Sequence, residues 1–441
     1  MVGLTYHRSI SAADHEPEPE SVWRFQMPQV RFGRGAVEEL GVQFADLGVE
    51  EGARGLLVTD ETLVEVGHAG RVQSVLNDDG FAVDVYDECK REPSVGAIDD
   101  AVSIVREETG GEGYDFYVGL GGGSCMDVAK ATRAVVANGG SPLEYIAEPT
   151  GEGEPVTESG PPLVLLPTTA GTGAEISPLA ILSVEEQNIK EGISSHHVRA
   201  DAAVLDPTLT TTLPPDLTAK TAMDALGHAI EGYTTHRFDS FLRPGDPADR
   251  PVYAGRTPVT EPFSETAIRL LSSNVRRAVN NGDDLEAREN MLRGALFGAL
   301  AGLTAGAHLC HAMAYPVGNR YHSYHGETIA VLTPASTLGY NAAADPGRFA
   351  EVARLLGIDT TGMTDREAAR AAKEHYVDLQ RDLNVLPSGL AELAGVGEGD
   401  LDWLAEQTVE TQARLLRSNP RPVTTEDVRD VFADALYNWE P

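Results

Sequence analysis

The chain has 441 residues, 41% of them apolar, and its 68 acidic against 34 basic side chains give a formal net charge of −34. Nucleic acid and anionic membrane surfaces are therefore poor partners, since the charge far exceeds what solubility asks of a domain. Only Lys90, Lys130, Lys190, Lys220 and Lys373 are lysines. The skew toward arginine predicts a halophilic protein: molar salt shortens the Debye length to ~3 Å, and few lysines expose little methylene stem.

The length suffices for two domains with substantial cores. No apolar run reaches the ~20 residues of a membrane span, and the N-terminus lacks a basic-then-apolar leader, so a soluble, cytoplasmic protein is expected. Cys89, Cys125 and Cys310 form no Cys-x-x-Cys pair and read as reduced packing residues.

In chain order, residues 1–21 are polar and acidic and are expected to form a flexible tail. Structure is expected from Trp23. Over residues 22–206, strand-like runs at Gly55–Asp60, Phe81–Asp87, Asp115–Ser124 and Pro162–Thr169 alternate with helical stretches such as Ala97–Glu107. That alternation predicts an α/β domain with a parallel, Rossmann-like sheet. Residues 207–441 read as an all-α domain, rich in alanine and leucine at three-to-four spacing. Residues 236–263 interrupt it with five prolines and read as a long, structured, functional loop.

Two loops carry the nucleotide signal. The strand DFYVGL runs into Gly121, Gly122, Gly123 and Ser124, and then into a helix containing Asp127. Glycines let the backbone approach an anion, and the helix N-terminus offers free amides, so a pyrophosphate fits. The second loop, PTTAGTGAE, begins at Pro167 and contains Thr168 and Thr169; both loops are expected at the carboxyl ends of parallel strands, facing one crevice. Asp60 ends a third strand, where it either accepts hydrogen bonds from an adenosine ribose, favouring NAD over NADP, or caps a turn.

A metal signal follows. Asp224 and His228 are four residues apart on one helix face. His308, His311, His322 and His325 fall within eighteen residues, and His308 and His311 share a face, with the helix expected to end near Pro316. An Asp plus three His set suits a divalent transition metal, iron or zinc.

Together these motifs make the chain resemble the iron-containing (group III) alcohol dehydrogenases from about residue 23 onward. GGGSCMDVAK, PTTAGTGAE, TAMDALGHAIE and HAMAYPVG followed by HG match that family's motifs in order, with His325 fourteen positions after His311. The resemblance implies a dehydroquinate synthase-like architecture with one divalent metal, Fe2+ preferred over Zn2+, held by Asp224, His228, His311 and His325. It also implies NAD held by Asp60, Gly121, Gly122, Gly123, Ser124, Asp127, Thr168, Thr169 and Lys190, the last completing the cleft.

The implied activity is metal-assisted hydride transfer between NAD and an alcohol or hydroxy acid, by a homodimer or larger homo-oligomer. Tyr315 stands where the family usually has a second histidine, and Ala174 where serine is usual. Tyr315, the segment AGAHLCH, the insert around Arg250–Gly255 and the closing NPRPVTTED resemble the hydroxyacid-oxoacid transhydrogenase branch. That branch passes a hydride from 4-hydroxybutyrate to 2-oxoglutarate through a retained nicotinamide cofactor. Tyr315 is then a candidate proton relay or pocket wall. Arg243, Arg250 and Arg256 are solvated loop charges or carboxylate clamps. The remaining alternative is a non-catalytic nucleotide-binding protein.

Overall fold

The computed structural model describes residues 18–187, 189–247 and 250–440. Among the described residues there are eight strands: β1 (Gln29–Phe32), β2 (Arg54–Val58), β3 (Ala82–Tyr86), β4 (Phe116–Gly121), β5 (Leu163–Pro167), β6 (Leu179–Val184), β7 (Ile189–Ser194) and β8 (Ala202–Leu205). Six form one sheet in the order β1-β8-β5-β4-β2-β3, with every pairing parallel.

The sheet is buried on both faces, which explains the unbroken apolar runs of β4 and β5. Leu56, Val58, Tyr117, Leu163 and Leu165 enter one core, while Leu57, Val118, Leu120, Val164 and Leu166 enter the other. This is the two-residue alternation of a pleated strand.

The chain moves outward from β2 to β3 and then returns to the other side of β2 for β4. The strand order therefore reverses between β2 and β4, and a parallel sheet binds ligands beyond the carboxyl ends at such a point. Asp60 follows β2, and the glycine loop follows β4.

β6 and β7 form a separate antiparallel hairpin, which the expectation of a uniformly parallel domain does not contain. It carries Lys190 on β7.

Past Asp206 the chain is helical. The long helices Pro215–Thr234, Thr260–Asn280 and Leu285–Ala305 share a core that includes Met223, Leu226, Ile230, Leu271, Met291 and Leu296. From Thr218 onward Pro215–Thr234 is almost wholly buried, so any polar residue on it needs an internal partner. Among the described residues no single helix is long and apolar enough to cross a membrane, although Leu285–Ala305 and Leu309–Tyr321 pass the length and composition test as a pair bent by 97°.

Of the tail expected over residues 1–21, residues 1–17 lie outside the described chain. Glu18 and Glu20 bond through their backbones to the proline-rich insert, at Arg243 and Phe241. The insert closes on itself where the Arg256 amide donates to the His236 carbonyl at 2.8 Å.

Candidate active site

The helix Pro215–Thr234 brings Asp224 and His228 to one face, and two further segments complete the cluster. The helix Leu309–Tyr321 carries His311 and runs through Pro316 rather than ending there. Proline deprives the Ala312 carbonyl of its helical donor, yet the surrounding buried packing holds the helix together. It stops at His322, which is left-handed with φ 53°. A new helix, His325–Leu332, begins at His325 itself. A Cβ on Gly326 would fall 2.3 Å from the Lys220 carbonyl oxygen and 3.2 Å from the Asp224 Cβ. Glycine there lets the His325 helix lie directly against the Asp224 helix.

One carboxylate oxygen organises the cluster. Asp224 Oδ1 lies 3.9 Å from His228 Nδ1, 3.8 Å from His311 Nε2 and 3.8 Å from His325 Nε2. These separations are too long for hydrogen bonds. They approach the edge of a coordination polyhedron, since metal–ligand bonds of about 2.1 Å place tetrahedral neighbours about 3.4 Å apart. Asp224 Oδ1, His228 Nδ1 and His311 Nε2 are buried with no hydrogen-bond partner, so the donor set fits a cation. Asp224, His311 and His325 converge most tightly, and the His228 ring lies against that of His311, tilted by 30° with centroids 4.5 Å apart. His325 alone of the four keeps a substantially accessible side chain, at 40%.

Burial pushes His228 down to about 4, ahead of the opposing Asp224 charge. His325 is likewise pushed down to about 4 by burial, so both rings are neutral at ordinary pH, as metal ligation requires. Burial would lower His311 too, but the Glu231 hydrogen bond and charge outweigh it and raise His311.

Glu231 is the functional residue that the sequence reading missed. Its two oxygens accept the His311 ring at 2.6 Å, the His308 and Cys310 amides at 2.8 Å each and the Thr337 hydroxyl at 2.9 Å. The His308 ring also lies 2.8 Å away. Although burial opposes ionisation, the His308 and His311 partners hold Glu231 well below the usual carboxylate range. Such a carboxylate fixes the orientation of the ligating imidazole. The signal was available: Glu231 follows Asp224 by seven positions and His228 by three, on the same helix face. His308, bonded to Thr234 and Asn341, belongs to this buried network rather than to the converging ligands.

The nucleotide loops reach the same cavity. Its roughly 240 Å³ are lined by Gly123, Ser124, Asp127 and Lys190 together with Asp224, His228, His311, Tyr315 and His325. Gly121, at φ 149°, admits no side chain, because a Cβ would sit 2.6 Å from Cys125 Sγ. Gly122 caps the helix Gly123–Asn138 without a side-chain bond, leaving that N-terminus to an anion. The Thr168 amide donates to the Gly121 carbonyl at 3.0 Å, tying the two loops together. Thr169 packs beside Gly122.

Asp60 Oδ1 caps its own short helix through the Leu63 amide, and Cys125 donates to Oδ2 at 3.4 Å. Lys190 reaches from the hairpin to Glu92 at 2.6 Å. Glu92 is itself left-handed, with φ 57°, and its amide donates to Ser124 Oγ.

Lys130, at the end of the GGGSCMDVAK motif, is fully buried, pairs with Asp127 at 2.7 Å and donates to the Ala174 and Leu179 carbonyls. It staples the second loop and the hairpin to the phosphate-loop helix. Arg250 is not a free clamp, because both its Nε and Nη2 donate to Glu20. Arg256 is held by Glu261 and the Thr235 carbonyl.

Comparison with known proteins agrees with this geometry. Residues 28–207 match the iron-containing alcohol dehydrogenase family, and residues 252–436 match the C-terminal part of the Fe-containing alcohol dehydrogenase family. The chain belongs to the iron-containing alcohol dehydrogenase family. The mitochondrial hydroxyacid-oxoacid transhydrogenase of Rattus norvegicus is 31% identical over 422 residues, 92% of this chain and 88% of that protein. The NAD-dependent methanol dehydrogenase of Bacillus methanolicus is 33% identical over 414 residues, 93% and 99% of the two. The crystal structure of a 1,3-propanediol oxidoreductase superposes with a TM-score of 0.83 at 31% identity, covering 94% of this chain and all of that one. The protein is accordingly an oxidoreductase of the iron-containing alcohol dehydrogenase type.

Glu231→Gln should keep the shape but lose the charge behind His311, and so weaken metal affinity by about 10–100-fold; competition with a fluorescent chelator measures it, and unchanged affinity contradicts the orienting role.

His228 gives a pH prediction for metal-free protein. Its pKa is about 4 when folded and about 6.5 when unfolded, so the unfolded state binds the extra proton between them. The His228 contribution is complete above about pH 6.5 and is lost as pH falls toward 4, on the order of a few kcal/mol. Urea unfolding of chelator-treated protein should show stability falling between pH 7 and pH 5. His228→Leu should flatten that slope; an identical slope contradicts the assignment.

Proposed function

We propose that Asp224, His228, His311 and His325 hold a divalent iron, with zinc the other metal suited to the donor set, and that NAD occupies the same cavity. The supporting observation is that a single cavity is lined by both the phosphate-loop residues and the four converging ligands. In this reading Gly121, Gly122, Gly123, Ser124, Asp127, Thr168, Thr169 and Lys190 frame the pyrophosphate and nicotinamide side. Asp60 meets the adenosine ribose and disfavours a 2′-phosphate. Iron bound there would supply Lewis acidity to an alcohol oxygen, and bound NAD would supply the hydride acceptor.

The chain's own residues do the rest. His325 and Tyr315 line the cavity together, their rings 5.9 Å apart, so a substrate oxygen entering there would lie beside Tyr315. Burial pushes Tyr315 up to about 12, so it donates a hydrogen bond there rather than accepting a proton. Leu179, Ile181, Leu303, Ala307 and Leu415 line the cavity and exclude water from the reacting centre.

Similarity to the transhydrogenases favours a second reading, in which NAD stays bound and an oxo acid accepts the hydride. The deciding assay offers iron-loaded enzyme a primary alcohol with free NAD, and separately 4-hydroxybutyrate with 2-oxoglutarate. The main reading expects NADH to form stoichiometrically from the alcohol. Asp224→Ala should remove bound metal and lower kcat/KM by about a thousandfold. Consumption of 2-oxoglutarate without net NADH selects the second reading; full activity in a metal-free Asp224→Ala overturns both.

We further propose a homo-oligomer working in a salt-rich, reducing cytoplasm. β1 is an edge strand beside exposed Val22, Trp23 and Met27, a surface suited to self-association. All three cysteines are free thiols. Of the five lysines only Lys90 is exposed, so arginine supplies nearly all surface cations. Activity and Tm should rise from dilute buffer to molar potassium chloride, as screening relieves repulsion among carboxylates; a maximum in dilute buffer contradicts the halophilic reading.

A further inference from the structure

One stretch of the α/β half reaches across the cavity and carries backbone strain that the fold itself does not ask for. Residues 87–94 link β3 to the helix Val95–Glu108. Within them Glu92 is left-handed at φ 57°, a conformation disfavoured for any residue with a Cβ. His322 and Asn384 share it among the described non-glycine residues, but each ends a helix, Leu309–Tyr321 and Asp365–Leu383, where a left-handed residue closes the last turn. Glu92 ends no helix. Strain kept without such a reason points to a functional contact.

The contacts run in three directions. The Glu92 carboxylate meets Lys190 Nζ of the hairpin at 2.6 Å, and the Glu92 amide donates to Ser124 Oγ of the phosphate loop at 3.4 Å. The Arg91 guanidinium carbon lies 5.2 Å from the ring centroid of Tyr324, which belongs to the metal-bearing half next to His325; this is within cation–π range. Lys190 also approaches that half, its Nζ 3.5 Å from the position a Gly318 Cβ would take. Arg91, Glu92, Ser124, Lys190 and Tyr324 all line the cavity. Arg91 is exposed as well, which puts its contact with Tyr324 at the rim.

We infer that Arg91 and Glu92 are positioning residues for the nicotinamide nucleotide: they fasten residues 87–94 across the cavity rim, and the nucleotide leaves only after the Arg91–Tyr324 contact opens. The inference deepens the proposed function and rests on it, because NAD must occupy this cavity. Glu92 supplies the fixed end, through the hairpin lysine and the phosphate loop. Arg91 supplies the releasable end, since a cation–π contact at an exposed rim is weak enough to open in each turnover.

The test times NADH release. Iron-loaded enzyme carrying NADH is mixed with excess NAD, and the loss of nicotinamide fluorescence gives the dissociation rate. Arg91→Ala should release NADH about fivefold faster, the equivalent of about 1 kcal/mol of lost cation–π contact. Tyr324→Leu should do the same, and the double variant should be no faster than either single one, because a shared contact is lost only once. Tyr324→Phe keeps the ring face and should keep the wild-type rate. Unchanged release in Arg91→Ala, or additive acceleration in the double variant, overturns the inference. Glu92→Gly removes the carboxylate while relieving the left-handed backbone. It should hold or raise Tm and yet speed release at least threefold; a lower Tm with unchanged release makes Glu92 purely structural and overturns its assignment. A wild type that binds no NADH overturns the underlying reading of the cavity, whereas firm binding with the same release rate in every variant overturns only this inference.

Discussion

Asp224 Oδ1 is the constraint around which the helical half is arranged. A buried carboxylate oxygen ringed by three imidazole nitrogens at 3.8–3.9 Å, and hydrogen-bonded to none of them, is costly by itself, because an unpaired buried polar group loses about 1–3 kcal/mol and a charged one more. The neighbouring architecture keeps the cost in place rather than relaxing it. Glu231 fixes His311, the Thr337 hydroxyl and two backbone amides fix Glu231, and Gly326 permits the close approach that delivers His325. Glu231 is engaged by His311 and His308, which leaves Asp224 Oδ1 facing the imidazole nitrogens. A cation supplies the partner that this oxygen and the unbonded ring nitrogens of His228 and His311 lack.

The same logic joins the two halves of the molecule. The phosphate loop sits where the strand order reverses, so position follows from topology before any side chain is considered. What turns a nucleotide crevice into a shared cavity is the second loop. A Cβ on its Gly173 would meet Ala299 of the helical half at 2.1 Å, so that loop lies directly on a helix of the metal-bearing half. Lys130 secures the same loop from beneath, and a buried lysine with three acceptors serves as a rigid tie whose loss would strand Asp127.

Much of this was legible in the sequence because the signals were local. Strands β2 to β5, the glycine loop and the convergence of Asp224, His228, His311 and His325 follow from periodicity, from residue type and from motifs that resemble the family's in order. What was not legible depended on tertiary context. Pro316 reads as a helix stop, yet packing carries the helix five residues further. The β6–β7 hairpin lacks the tight-turn sequence that announces antiparallel pairing. Arg250 could be read as a solvated charge or a carboxylate clamp because its partner, Glu20, is 230 positions away. Glu231 was readable by helical spacing, but a lone glutamate among alanines resembles a solvated residue until its helix is known to be buried.

Net charge and catalysis meet at the cofactor. NAD is an anion, and so is any acid substrate, while the chain that must receive them carries −34 charges. In dilute solution that field repels both over a Debye length of about 10 Å at 0.1 M salt. Two features together remove the difficulty. Cations are placed where contact occurs: Lys190 and Arg91 line the cavity, and Lys220 stands over the ring of Tyr324, another lining residue, at 5.8 Å. Molar salt then erases the long-range repulsion while leaving contacts of about 3 Å largely intact. An acidic exterior and a locally cationic cleft are therefore compatible in one solvent and antagonistic in another, which ties the composition of the surface to the chemistry of the site.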